Sequence, residues 1–336
     1  MFSLWAGVGH KGIKMQRINI LFTSVGRRNV VINAFCSAAK KLKVDLGVFV
    51  LDHNRKYSSA CRSGLYTDFG SPAYDSSEYP DFIIDLCRKY SINLVVPFMD
   101  GDLKPLAKIA SELLSIGTLA VVSSEDTLEV TTGDKRKTHR FFQQHNIPCP
   151  KLIEIGMAIN SRDFPVFMKP YDGIGSKFAN RIDTATDAFY WYGKTPNPMV
   201  TEFIDGDEYT VDVYASLIDG RAKVAVPRRR LEVRSGEVNK AVVSRNLLVE
   251  GCAMDIVDLL PCSRGVMTLQ CLVPKDGVPK FIEINARFGG GAPLSIQAGA
   301  HFPEWILREY TGKQIKVPRI NDGLIMLRYE DAVFVK

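Results

Sequence analysis

The 336-residue sequence lacks most of the features that assign a protein quickly. No apolar run approaches the roughly 18 residues that a membrane helix needs, which argues against a helical span. Its seven cysteines, at 36, 61, 87, 149, 252, 262 and 271, are odd in number and contain no C-x-x-C pair. That spacing speaks against a disulfide framework or a zinc site and for reduced thiols in a cytoplasm. The five histidines show no metal-ligand spacing either. Charge of one sign is also missing. A formal charge of +6 is mild and spread along the chain, apart from an arginine cluster at 228–234. Bulk nucleic-acid binding is not indicated, whereas acidic small substrates are compatible. The opening MFSLWAGVGHKGIK is too short and too weakly apolar for a signal peptide. With Met15 directly after it, residues 1–14 read as a disordered leader or an alternative start. Finally, TSVGRR has one glycine where the dinucleotide fingerprint needs three, so nicotinamide binding by an oxidoreductase is poorly supported.

What the chain does contain is rhythm. INILFTSVG (18–26), VDLGVFVLD (44–52), INLVVPFMD (92–100) and TLAVVSS (118–124) read as strands, with helical spacing over 28–42, 79–90 and 103–117. Strands alternating with helices predict an α/β domain with a Rossmann-like parallel sheet over about the first 125 residues. Ligands of such sheets sit at the carboxyl ends of the strands, where Ser24, Gly26, Arg27, Asp52, Asp100 and Asp102 fall. After residue 125 the texture turns to α+β. A cationic helix occupies part of 134–151, and 164–182 is strand, glycine-rich turn and strand. Three strand-like pieces follow over 198–230, and 264–287 is a hairpin around Lys275-Asp276-Gly277.

The second half of that hairpin, FIEINARFGG (281–290), carries the chemistry. Period-two alternation places Phe281, Glu283, Asn285 and Arg287 on one face and Ile282, Ile284 and Ala286 on the other. Gln270, on the preceding strand, can face the same side as Glu283. A carboxylate and two amides supply hard oxygens for a divalent cation, and Lys135, Lys169 and Arg287 supply charge for phosphates. Gly173-Ile174-Gly175-Ser176 can bend over phosphates with its backbone N–H groups exposed. Each feature alone is common, and their order along the chain is the specific signal.

That order resembles the ATP-grasp superfamily, and its carbamoyl-phosphate-synthase-like branch in particular, over about residues 18 to 315. The resemblance implies a pre-ATP-grasp domain at 15–125 and a two-lobed ATP-grasp domain at 126–336. Within the latter, a small nucleotide-lid lobe would span about 151–204 and a catalytic lobe about 205–320. It further implies ATP, with two Mg²⁺ ions that Mn²⁺ can replace. Lys135 and Lys169 would contact phosphates, and Gly173, Gly175 and Ser176 would cover them as a lid that orders on nucleotide. Glu202, Phe203 and Ile204 would hold adenine, and Glu208 the ribose. Gln270, Glu283 and Asn285 would bind the metal ions, Glu283 bridging both, with Arg287 on the γ-phosphate and Lys169 and Arg287 the catalytic pair.

The chain holds one ATP-grasp unit where the synthase large subunit holds two, and no biotin-carrying motif is apparent. The implied activity is therefore that of a stand-alone carboxylate–amine ligase working through an acylphosphate. Small-molecule acid and amine substrates are its expected partners, with no nucleic acid and no membrane, and a cytoplasmic homodimer is compatible. A kinase that stops at phosphoryl transfer is the alternative, followed by a non-catalytic nucleotide-binding module. For the acceptor substrate the candidates are Arg27, Asp100, Arg228 and Arg230. Strand alternation sends Arg228 and Arg230 to one face and Arg229 to the other.

Overall fold

Three β-sheets carry the architecture, and the crevice where they meet is the candidate site. The computed structural model describes residues 16–154, 164–173, 175–234 and 236–335, so the expected leader and Ile174 of the glycine-rich turn lie outside the described residues. Strands β1 (Arg17–Thr23), β2 (Asp45–Asp52), β3 (Thr67–Gly70), β4 (Leu94–Pro97) and β5 (Leu119–Ala120) form the first sheet. Their order is β3-β2-β1-β4-β5, and every pair is parallel. β1 and β4 are buried on both faces, as strands of a helix-covered parallel sheet must be, so they read as continuous apolar runs. The helix Asn29–Leu42 turns Val31, Ile32, Phe35, Ala38 and Ala39 inward, and Tyr79–Tyr90 turns Ile83, Ile84 and Cys87 inward.

Strand order reverses between β1 and β4, and the loops leaving those two strands flank the crevice. Both strands end sooner than expected. β1 stops at Thr23 because Ser24 and Gly26 adopt left-handed backbone, φ 48° and 47°. β4 stops at Pro97, and the acidic residues read as a strand end instead begin a helix, Asp100–Lys108. Acids in the first turn suit the positive end of a helix. The helix expected over 103–117 is in fact this one and a second, Ala110–Ser115.

The rest of the chain is antiparallel. β6 (Val166–Pro170), β7 (Asn180–Ile182) and β8 (Pro198–Glu202) form a three-stranded sheet ordered β7-β6-β8. β9 (Gly206–Ala215), β10 (Ala222–Arg234), β11 (Glu237–Val243), β12 (Gly265–Pro274), β13 (Lys280–Asn285) and β14 (Ile325–Leu327) form a six-stranded sheet ordered β13-β12-β9-β10-β11-β14. Two helices stand out by their caps. Asp134 accepts from the Arg136 N–H at the start of Lys135–Gln144. Asn246 accepts from the N–H groups of Leu248 and Val249 at the start of Leu247–Leu259. The latter helix was not anticipated from the sequence, although Val249, Ala253, Ile256 and Val257 trace a buried stripe at helical spacing.

The first sheet and the six-stranded sheet share one core. Phe22 stacks on Phe98 at 5.5 Å between ring centroids, and Phe98 meets Phe288 edge-on at 5.9 Å. Phe288 also contacts Phe35 at 6.1 Å and Phe302 at 6.3 Å. This buried ring, one residue after Arg287, thus ties the polar stretch of the hairpin to the parallel sheet. Truncating Phe288→Ala should cost about 3–5 kcal/mol, the range for a buried aromatic. Urea unfolding would measure it, and an unchanged midpoint would show that the two sheets are not joined through this residue.

Candidate active site

Sheet register explains how the polar residues converge. Gln270 pairs directly with Glu283, and Thr268 with Asn285. On the other side of β12, Gln270 pairs with Thr210 and Thr268 with Asp212. Across from them on β10, Arg228 pairs with Thr210. Period two therefore spreads one polar face over four strands of the six-stranded sheet. It borders a cavity of about 490 Å³, to which the parallel domain adds Arg28 and Asp100 and the three-stranded lobe adds Lys169 and Gly173.

One departure from strict alternation matters. Phe281 was expected beside Glu283 but is fully buried in the core, and Ile282 lines the cavity instead. The ladder steps from Gln270↔Glu283 to Cys271↔Phe281, leaving Ile282 as an extra residue. Such a bulge re-aims neighbouring side chains. It gives the cavity an apolar patch, Ile282 with Phe167, next to its hard oxygen donors.

Lys169, on β6, is half-buried, and desolvation of its ammonium holds it below the ordinary lysine pKa of 10.5. Glu283 opposes that shift and Lys135 reinforces it. Lys135 reaches the glycine-rich turn directly, its Nζ donating to the Gly173 carbonyl at 2.6 Å. Gly175 and Ser176 have φ of 69° and 57° and line the cavity. Arg287 spans the two domains: Nη2 donates to Asp100 Oδ2 at 2.6 Å, and it lies 3.4 Å from Asn285 Oδ1. Asp100 is therefore engaged with Arg287 rather than free for a substrate amine, because its helix begins opposite the end of the hairpin. Its neighbour Asp102 is buried, accepts from Thr23, Ser24 and Tyr79, and is pushed to a higher pKa by burial.

The arginine cluster divides as alternation requires, but with different tasks. Arg228 is 0% exposed and grips Asp212 with two nitrogens, Nε at 2.8 Å and Nη2 at 3.0 Å, leaving Nη1 without a partner. Arg230 pairs with Glu208, so the carboxylate expected at a ribose is held by a cross-strand partner. Arg229 points away and lies 3.5 Å from Asp207 in a half-exposed pair. Arg234 and Lys240 both pair with Glu232.

Other expected residues lie outside the cavity lining. Glu202 accepts from Lys280 Nζ at 2.8 Å and from the Lys151 N–H at 3.0 Å. Burial pushes its pKa up, but these two contacts hold it below the usual value. Phe203 lies under the Arg181 guanidinium at 4.6 Å, and Ile204 follows in the linker between β8 and β9. Arg27 is 84% exposed, whereas the side chain of Arg28 is 16% exposed and lines the cavity. Sequence reading also passed over Thr210, Asp212 and Thr268. The alternation in EYTVDV, the same rule that singled out FIEIN, was the signal for the first two.

Comparison with known proteins fits this geometry. Residues 194–332 match the family described as "ATP-grasp in the biosynthetic pathway with Ter operon", and residues 20–122 match "PylC-like, N-terminal domain". Residues 194–332 thus resemble an ATP-grasp domain. The ATP-grasp match contains Arg228, Gln270, Glu283, Asn285 and Arg287, and the PylC-like match contains Arg28 and Asp100; Lys135 and Lys169 fall between them. A carbamoyl-phosphate synthase of Methanobrevibacter smithii is 24% identical over 129 residues, 37% of this chain and 35% of that protein. The aligned part thus spans about a third of that curated relative.

Among solved structures, the biotin carboxylase domain of Hydrogenobacter thermophilus 2-oxoglutarate carboxylase, with MgADP, ADP and bicarbonate, superposes at TM-score 0.68 and 14% identity. That comparison covers 91% of this chain and 73% of the other. An L-amino acid ligase from Bacillus licheniformis gives TM-score 0.67 at 18% identity, covering 88% and 74%. The likeness in fold extends over most of the chain.

The split of the cluster has a measurable consequence for stability. Arg228→Ala should destabilise the protein by about 3–5 kcal/mol, because it strands the Asp212 carboxylate in the core. Arg229→Ala should stay within about 0.5 kcal/mol of the parent. Equal unfolding midpoints for the two variants would show that the Arg228–Asp212 pair is not structural.

Proposed function

We propose that the protein is an ATP- and Mg²⁺-dependent carboxylate–amine ligase that works through an acylphosphate. The observation that carries this reading is the direct cross-strand pairing of Gln270 with Glu283, beside Asn285, on the wall of a cavity that also receives Lys169 and Arg287. Among the described residues no three His, Cys, Asp or Glu side chains converge as a metal cage. One carboxylate flanked by amides fits a cation that arrives with phosphates, since Mg²⁺ commonly takes one or two protein carboxylates and completes its shell with phosphate oxygens and water. Gln270, Glu283 and Asn285 would hold two such ions, which neutralise phosphate charge when bound.

The protein's own groups supply position and charge, which phosphoryl transfer chiefly requires. Ile282 and Phe167 provide an apolar surface for the base, next to the linker Glu202–Ile204. Lys169 and Lys135 neutralise phosphates, and a phosphate would supply Lys169 with the counter-charge that burial denies it. The Gly173–Ser176 turn closes from above and excludes water. Arg287, steadied by Asp100, holds the transferring phosphoryl group. A carboxylate oxygen of the acid attacks the γ-phosphorus as the bond to ADP breaks. The amine nitrogen then attacks the acyl carbon, loses a proton, and phosphate leaves. Seven free cysteines among the described residues agree with a cytoplasmic setting.

Two measurements test the reading. Glu283→Gln should retain the fold and lose at least about a hundredfold of acid-dependent ADP release, as removal of a preorganised electrostatic group does. ADP release within a few-fold of the parent would remove the metal assignment, and a stable phosphorylated product in place of an amide would assign a kinase instead. Separately, Lys177 is exposed beside the turn, so tryptic cleavage after it should slow at least tenfold when a non-hydrolysable ATP analogue and Mg²⁺ are present. Cleavage indifferent to nucleotide would sink the closure.

A further inference from the structure

The cavity carries two separate groups of charge. Lys169 is surrounded by Lys135, Glu283 and Glu208, the group assigned above to nucleotide. Arg28 is surrounded by Glu237, Arg287, Arg328 and Arg27. In this second group one carboxylate serves three guanidinium ions: Glu237 lies 3.6 Å from Arg28, 3.7 Å from Arg27 and 3.3 Å from Arg328. Arg287 and Arg228 have carboxylates of their own in Asp100 and Asp212. Three guanidinium ions thus share one carboxylate, and of the three Arg28 is the one that lines the cavity.

Arg28 reaches the cavity beside the glycine loop. The Arg28 side chain is largely buried, and at 3.6 Å its contact with Glu237 is longer than a hydrogen bond. Arg228 is fully buried with Nη1 unpartnered, an expensive state for a charged donor. A Cβ built on Gly290 would lie 3.1 Å from Arg28 Nη1, and one on Gly291 would lie 2.1 Å from Arg228 Nη1. Consecutive Cα atoms are about 3.8 Å apart, so two guanidinium groups from different domains press on adjacent residues. At Gly291 a side chain would displace Arg228, and at Gly290 the fit beside Arg28 is tight. A largely buried guanidinium on the cavity wall whose one carboxylate is shared and beyond hydrogen-bond reach calls for an anion.

We propose that Arg28 binds a second anionic group of the acid substrate, so that the substrate is a dianion, either a dicarboxylate or a phosphorylated carboxylic acid. The carboxylate to be activated belongs with Arg287, next to the Gln270–Glu283–Asn285 set, and brings no charge to the Arg28 end. The identity of the reacting group rests on the ligase reading; the anion site rests on the arginine geometry alone.

The test uses the full chain with ATP, Mg²⁺ and hydroxylamine, which traps an acylphosphate as a hydroxamate. Succinate, glutarate and 3-phosphoglycerate are compared with butyrate and valerate, and calorimetry in the presence of ADP and Mg²⁺ measures binding of each acid. At least one dianion should react at least tenfold faster than the monoanions, and the dicarboxylate and phosphorylated arms show which kind is preferred. Arg28→Gln should raise the Kd of that dianion at least tenfold while the ADP Kd moves less than twofold. Glu237→Gln, which removes the shared carboxylate, should tighten dianion binding.

Arg28-dependent binding without any hydroxamate would keep the anion site and overturn the ligase reading. Hydroxamate from monoanions as readily as from dianions would do the reverse. Failure of every dianion in the panel to bind in an Arg28-dependent way overturns the site, as does an Arg28→Gln variant that weakens ADP equally.

Discussion

The buried carboxylate of Asp212 is the constraint on which the site depends. It sits at the centre of the six-stranded sheet with no exposure, where an unpaired charge would cost several kcal/mol. Four hydrogen bonds offset that cost. Two come from Arg228 on β10, one from the Thr268 hydroxyl on β12 at 3.1 Å, and one from Ser295 at 2.6 Å. Ser295 belongs to the short helix Ala292–Gln297 that follows the glycine loop. One acid therefore locks two neighbouring strands and the segment beyond the hairpin into one arrangement. The same Thr268 hydroxyl lies 2.9 Å from the Arg287 carbonyl, so its single proton is shared between the two acceptors and draws in the arginine that reaches across to Asp100.

From that lock the close approach at Gly291 follows. Arg228 cannot retreat from the loop without abandoning Asp212, so the loop must do without a side chain. Gly290 lies close to Arg28, which arrives from the parallel sheet, and Gly289 close to Thr268. Three arginines bordering the cavity are each matched by an acid from a different element: Arg287 by Asp100, Arg230 by Glu208, Arg228 by Asp212. Pairing of this kind keeps charged side chains ordered in a half-enclosed space, and it makes the unmatched groups, Lys169 and the Arg28 end, the informative ones.

Chain and fold agree best where one physical rule acts over many residues. Apolar runs separated by amphipathic helices specified the parallel sheet, because burial on both faces leaves no alternative composition for its strands. Period two specified the facing of Gln270, Glu283 and Asn285, and of Arg228 and Arg230 against Arg229, because strand geometry is rigid in that respect. β3, four residues long, and Leu247–Leu259, set in a stretch without strong flanking signals, escaped because short or all-round apolar segments carry little periodicity.

The sequence by itself determined the fold class, the order of the polar residues and the face that each presents, since these depend on local periodicity. Only tertiary structure decided partnership. The bulge at Ile282 exchanged a phenylalanine for an isoleucine at the cavity wall through a register shift against β12, which no single strand encodes. Arg28 rather than Arg27 entered the crevice because the turn after β1 passes through left-handed residues whose orientation is set by the sheet around them. Glu208, Asp100 and Glu202 read as free acids in the sequence and are ion-paired in the fold, with Arg230, Arg287 and Lys280. Those partners are 22, 187 and 78 residues away. Electrostatic partnership acts through space, and it is settled only once the sheets have come together.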